Sequence, residues 1–182
     1  MNSETPADPK SRPSCMAVLA LLTPVPEWET ALCTDLESAF GIFDYRGEFR
    51  LFDVSDYYAP EMGSPLYRGF AAFRALGQPQ DLPDWKWRSR ALEQKWSREG
   101  RRTRNLDMGY LDADKLVLAS FKRGPWKLYL GRGVWADMTL GYSKGRFLPT
   151  EWAFADFRDG RYNKSLLAMR EKMKAGMRRD IT

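Results

Sequence analysis

The sequence predicts a single α+β domain, a mostly antiparallel sheet with helices packed on one side of it. Three observations carry that expectation. Strand-like runs follow one another in the C-terminal half, at residues 115–121, 126–130 and 134–142. They are joined by the hairpin links Arg123-Gly124-Pro125 and Gly131-Arg132-Gly133. Apolar residues at helical spacing recur in three places: Trp28, Leu32, Leu36 and Phe40; Trp85, Leu92 and Trp96; and Leu166, Met169, Met173 and Met177. The 182 residues contain no internal repeat and no long linker, so one core serves the whole chain.

Taken in order, residues 1–14 are polar and contain Pro6, Pro9 and Pro13. They read as a disordered leader before one domain over 15–182. Residues 16–22 are a short apolar run closed by Thr23-Pro24, which predicts a buried strand. Pro26 suits a first helical position, Glu27 and Glu29 suit its positive end, and Gly41 stops the helix. Residues 42–54 alternate loosely around Arg46-Gly47, which predicts a hairpin, and residues 56–63 form a loop. Periodicity does not decide residues 66–76; a strand is favoured. Residues 83–99 read as a helix capped by Asp81 and stopped by Gly100, with Arg88, Lys95 and Arg98 on its wet side. After the meander, Ser143-Lys144-Gly145 turns into a last strand ending at Pro149. Residues 162–177 close the chain as a basic amphipathic helix. The order of elements predicts a ferredoxin-like split unit as the first half and a β-meander as the second.

Composition narrows the chemistry. Histidine is absent, which removes the commonest general base and transition-metal ligand. Carboxylate, lysine and tyrosine chemistry remain. Cys15 and Cys33 are too few for a disulfide framework and read as reduced thiols. The run at 16–22 is too short to span a bilayer and lacks a signal-peptide cleavage pattern, so a cytoplasmic protein with no membrane partner is expected. The net charge of +5 is segregated: residues 1–80 hold 6 Lys/Arg against 11 Asp/Glu, residues 81–104 hold 8 against 4, and residues 164–182 hold 6 against 2. Opposite charges within one domain can neutralise one another, so nucleic acid is not the expected partner.

Three segments are polar beyond the needs of a core. In 105–110, Asn105 and Asp107 can bond their own backbone as an Asx turn, Gly109 permits positive φ, and the same two side chains can grip a polar ligand. In 53–63, Asp53, Asp56, Tyr57, Tyr58 and Glu61 precede Arg68. The structural reading pairs Glu61 with Arg68; the functional readings are a binding loop or a Mg²⁺ site built on the carboxylates. Around 120–127, Ser120, Lys122, Arg123 and Lys127 form either a solvated tip or an anion contact. No GxxxxGK[ST] occurs and no GxGxxG follows a strand, so the phosphate-cradling motifs are absent.

These residues also carry a resemblance. Asp56-Tyr57-Tyr58, Glu61-Met62-Gly63, Arg68, Arg102, Asn105-Leu106-Asp107, Gly109-Tyr110-Leu111, residues 115–120, Lys122, Tyr129-Leu130, Gly133, Ala136, Thr139-Leu140, Trp152 and Asp156 resemble domain-of-unknown-function family 4416, over roughly residues 17–170. The resemblance implies small bacterial proteins without an established activity. The chain departs from the family pattern at Met108 (a proline in the family), Arg123 (an aspartate), Trp126-Lys127 (His-Arg), Asp137 (a glutamate) and residues 152–157. If that histidine serves a family activity, this chain lacks it.

The expected function is therefore binding of a small polar or anionic ligand, with Tyr58, Glu61, Arg68, Asn105, Asp107 and Lys122 as candidate site residues. The loops 56–63 and 105–110 are expected to lie together. No metal ligands are assigned among the site residues, and cofactor and oligomeric state are left open. A divergent carboxylate/lysine enzyme, with or without Mg²⁺, and an RNA- or protein-interaction module are the alternatives.

Overall fold

A computed structural model describes residues 14–179. All of the expected leader except Ser14 lies outside the described residues. The strands are β1 (Cys15–Thr23), β2 (Phe43–Arg46), β3 (Arg50–Leu51), β4 (Tyr67–Gly77), β5 (Asn105–Leu111), β6 (Lys115–Ser120), β7 (Leu128–Gly131), β8 (Val134–Ser143) and β9 (Arg146–Pro149). The helices are α1 (Thr30–Phe40), α2 (Ala59–Met62), α3 (Leu82–Lys95), α4 (Ala155–Arg158) and α5 (Asn163–Arg179). The fold class is α+β. All nine strands join one antiparallel sheet in the order β2-β4-β1-β5-β6-β8-β7, with β3 on β4 and β9 on β8.

β1 is the centre because it is apolar on both faces, and all nine of its residues are buried. Met16, Val18 and Ala20 point to one face; Ala17, Leu19 and Leu21 point to the other. Each fully buried leucine contributes roughly 1.5–3 kcal/mol relative to exposure. A strand apolar on both faces needs cover on both. Leu32 and Leu36 of α1, with Trp85 and Leu92 of α3, pack on the Leu19 face. Leu166, Met169 and Met173 of α5 pack on the Val18 face. The expectation of helices on one side only is thereby corrected. Within the first half, β2-β4-β1-β5 with α1 and α3 on the same face reproduces the expected split unit.

Three local expectations change as well. β2 and β3 do not form a hairpin with each other. Both pair with the long strand β4, at residues 71–73 and at 67–68. α1 begins at Thr30, not Pro26, so Trp28 precedes it and donates its indole N–H to the Gly47 carbonyl at 2.8 Å. Residues 105–110 are not a loop but most of β5, paired with β1 along its length. Gly109 has no positive φ; it is needed because a Cβ there would lie 2.3 Å from the Val117 carbonyl oxygen of β6. Both cysteines are free and buried, Cys15 within β1, where burial pushes its thiol up to about 12.

α3 stops at Lys95, before Gly100. Gly100 instead serves a tight two-residue turn with Glu99, both at positive φ (74° and 50°), so that Arg98 and Arg101 exchange both backbone hydrogen bonds at 2.9 Å. Among the described residues no helix is long and apolar enough to cross a membrane.

Candidate functional site

The site grows from an asymmetry in β5. The strand pairs with β1 at seven positions but with β6 only at Gly109, Tyr110 and Leu111. Its first half therefore presents an open edge, and α3 lies along that edge. Lys86, Ser89 and Glu93 recur at helical spacing and are all buried. Glu93 Oε1 accepts the Leu106 backbone N–H at 2.7 Å, doing what a neighbouring strand would do. Burial raises the Glu93 carboxyl above its ordinary range.

From Lys86 a continuous polar chain runs to α2. Lys86 Nζ donates to Asp107 Oδ1 at 3.3 Å, and Asn105 Nδ2 donates to Asp107 Oδ2 at 2.7 Å. Arg102 Nη1 donates to Asn105 Oδ1 at 2.9 Å. The Arg102 guanidinium also forks onto Glu61, through Nε at 2.9 Å and Nη2 at 2.6 Å. That fork holds the Glu61 carboxyl below its usual value. The segments 56–63 and 105–110 thus lie together, as expected, with Arg102 as the link between them.

Tyr58 packs beneath the same arginine, whose guanidinium carbon is 5.9 Å from the ring centroid. Burial, and then the nearby Asp107 charge, push the Tyr58 phenol up to about 12. Lys122 is hydrogen-bonded to the hydroxyl of exposed Tyr57 and lowers that phenol. Tyr57 stands edge-on to Tyr58 with 4.9 Å between centroids, so Lys122 joins the periphery of the cluster.

Arg68 does not join it as a ligand-facing group, and it does not pair with Glu61. It forms a buried ion pair with Asp156 of α4. Its guanidinium carbon lies 4.9 Å from the Phe52 centroid and 5.4 Å from that of Phe157. Tyr162 donates to Asp156 Oδ2 at 3.0 Å; Arg68 Nε and Asp156 Oδ1 have no partner among the described residues. The three carboxylates of the 53–63 segment also part company. Asp53 pairs with Arg161 at 2.7 Å, Asp56 is exposed, and Glu61 pairs with Arg102. Among the described residues no group of three or more Asp, Glu or Cys is placed to hold a metal ion. Lys127 is not a solvated tip: it pairs with Asp137 at 3.2 Å and donates to Ser120 Oγ at 3.1 Å.

On the far side of Glu61 and Arg102 opens a cleft of about 440 Å³. Pro24, Val25, Met62 and Trp96 form apolar walls, and Arg98, Arg101, Arg102 and Arg104 supply four cations. Arg104 is held by Glu29 and Arg102 by Glu61. Arg98 and Arg101 are exposed and have no ion-pair partner among the described residues. Sequence reasoning missed Lys86, Glu93 and this arginine group as site residues. The available signal was four arginines within residues 98–104, inside one of the two segments that carry the positive excess.

No curated protein and no solved structure matches the chain. One family does, over residues 13–173, nearly the whole of the described fold and every residue of the polar chain. The chain belongs to the family described as Domain of unknown function (DUF4416).

Proposed function

We propose that this domain binds a small anionic ligand in the arginine-lined cleft, a role compatible with the cytoplasmic placement expected from its sequence. One observation carries the reading. The tight turn at Glu99-Gly100 makes Arg98 and Arg101 directly opposed cross-strand neighbours, so their side chains leave the same side of the hairpin. Like charges in that arrangement repel, and neither arginine forms an ion pair among the described residues, although Glu99 stands in the turn between them and Glu29 and Glu61 also line the cleft, engaged by Arg104 and Arg102. An anion between them relieves the repulsion and receives charge-assisted hydrogen bonds from guanidinium forks. The cleft volume suits a small molecule, and Trp96 with Met62 offers apolar cover for its uncharged part.

The candidate residues then have distinct roles. Glu61 fixes Arg102 at the cleft wall, Asn105 and Asp107 hold Arg102 from behind, and Lys86 neutralises Asp107. Tyr58 fills the space under Arg102, Lys122 braces Tyr57, and Arg68 anchors α4 to the sheet. Thermal melting with pyrophosphate, nucleotides, sugar phosphates and dicarboxylates tests the reading. A ligand at 100 times its dissociation constant stabilises by about 2.7 kcal/mol. The shift should vanish in R98A/R101A and persist in K122A. A shift unchanged by R98A/R101A, or no shift with any of these anions at millimolar concentration, would refute the proposal.

A further inference from the structure

The arginine cleft also presents acceptors. Among the described residues its lining holds three carboxylates, those of Glu29, Glu61 and Glu99, beside its four arginines. The excess is a single positive charge. That suits one anionic group, whereas a chain of phosphates would meet repulsion as well as attraction. At about 440 Å³ the cleft also lies toward the small end of the roughly 300–1,000 Å³ typical of small-molecule sites.

Glu29 is the informative member. It stands at the N-cap of α1, where a side-chain oxygen ordinarily accepts a backbone N–H of the first turn, yet it makes no such bond. Its carboxylate lines the cleft instead, and Arg104 Nε and Nη2 both donate to one oxygen, Oε2. Oε1 has no hydrogen-bond partner among the described residues. A carboxylate accepts through both oxygens, so Oε1 is left for water or a ligand donor. The donor that fits is a neutral hydroxyl, because an ammonium group would stand close to the Arg104 guanidinium held on the neighbouring oxygen.

Arg98 and Arg101 set the other end of the ligand. Each guanidinium fork takes two oxygens. A carboxylate satisfies one fork, whereas the three free oxygens of a phosphate monoester can be shared between two. Trp96 sets what lies between the ends. Its indole N–H is already engaged by Asp35 Oδ2 at 2.9 Å, so it offers the cleft carbon surface only.

We infer that the ligand is a hydroxylated monophosphate of the sugar- or polyol-phosphate class. Its phosphate lies between Arg98 and Arg101, one hydroxyl donates to Glu29 Oε1, and its carbon skeleton packs on Trp96 and Met62. This rests on anion binding in the cleft as proposed above.

Isothermal titration calorimetry on the full chain tests it with two matched pairs, glycerol 3-phosphate against propyl phosphate and ribose 5-phosphate against pentyl phosphate. Fixed ionic strength and about pH 8 keep every monoester a dianion. Each hydroxylated member should bind about tenfold tighter than its partner, since a charged acceptor makes a strong hydrogen bond and Glu29 is still 27% exposed. E29Q keeps an acceptor for Arg104 but removes the charge, and should reduce that preference to about twofold or less. R98A/R101A should abolish binding of all four. Equal affinities within each pair for the parent protein, or a preference untouched by E29Q, would overturn the inference and leave anion binding standing. Failure of all four to bind would overturn both. The comparison within the parent does not depend on how well E29Q folds.

Discussion

Glu93 offers the sharpest test of how the open edge of β5 is held. Its side chain is buried on α3, its Oε1 takes the Leu106 N–H at 2.7 Å, and Arg90 approaches its other oxygen at 3.7 Å. Glu93→Ala removes the acceptor where no strand can replace it. A buried, unsatisfied backbone N–H costs about 1–3 kcal/mol. The lost methylene adds about 0.8 kcal/mol. The expected loss is therefore roughly 2–4 kcal/mol, or about 5–12 °C in Tm for a domain of this size. Glu93→Gln keeps an acceptor and removes the charge. Because burial raises the carboxyl above its ordinary 4.5, the fold binds the proton more tightly than the unfolded chain does. The parent is thus stabilised below that range and loses this contribution as pH rises through the folded pKa. Glu93→Gln should lie within about 1 kcal/mol of the parent near pH 7 and compare less favourably near pH 4.5. Urea titrations of the three proteins at both pH values, with a common m, decide it. Equal losses in the Ala and Gln variants, or a parent-minus-Gln difference that ignores pH, would refute the argument.

Other outcomes follow from the same geometry. Asp156→Asn leaves the Arg68 charge buried without its counter-ion and should cost about 3–5 kcal/mol, whereas Arg68→Met with Asp156→Leu should recover much of that loss in urea unfolding. Gly109→Ala should destabilise by about 1–3 kcal/mol, because the new methyl meets a strand carbonyl that cannot swing aside; a neutral result by calorimetry would contradict the close approach of β5 and β6. The Tyr58 phenol, raised to about 12, contributes stability that is complete below pH 10 and lost as pH climbs through 12. Tyr58→Phe should accordingly show a shallower fall in Tm over that window than the parent.

Much of the fold was legible from local pattern. The meander followed from glycine-bearing links between strand-length runs, and the closing helix from its methionine spacing. The continuous apolar run of β1 also held the sign of a strand covered on both faces, although helices on one side were expected. Residues 42–54 misled because alternation reveals a strand but not its partner, and the partner, β4, lies further along the chain. Asn105, Asp107 and Gly109 read as a turn because each favours one. They stand in a strand because β1 pairs with that strand along its length, while α3 supplies partners for Asp107 and the Leu106 N–H, both long-range facts. For the same reason the nearness of segments 56–63 and 105–110 could be expected from polarity, but the Glu61–Arg102 fork that joins them could not.

α5 lies across both halves of the sheet, touching β2 and β4 on one side and β9 on the other. Between those halves the ladder narrows to the three residue pairs of β5 and β6. The helix is thus a clasp over a seam, and it follows every strand in the chain. During synthesis the strands of the split unit can pair once β5 has emerged, but their Val18 and Phe70 face, like Leu140 and Phe147 of the meander, stays uncovered until Met169 and Met173 arrive. A nascent chain halted before residue 163 should therefore present an adhesive apolar face across both halves of the sheet. Chaperone capture during translation should peak in that interval and fall away once α5 has cleared the ribosome.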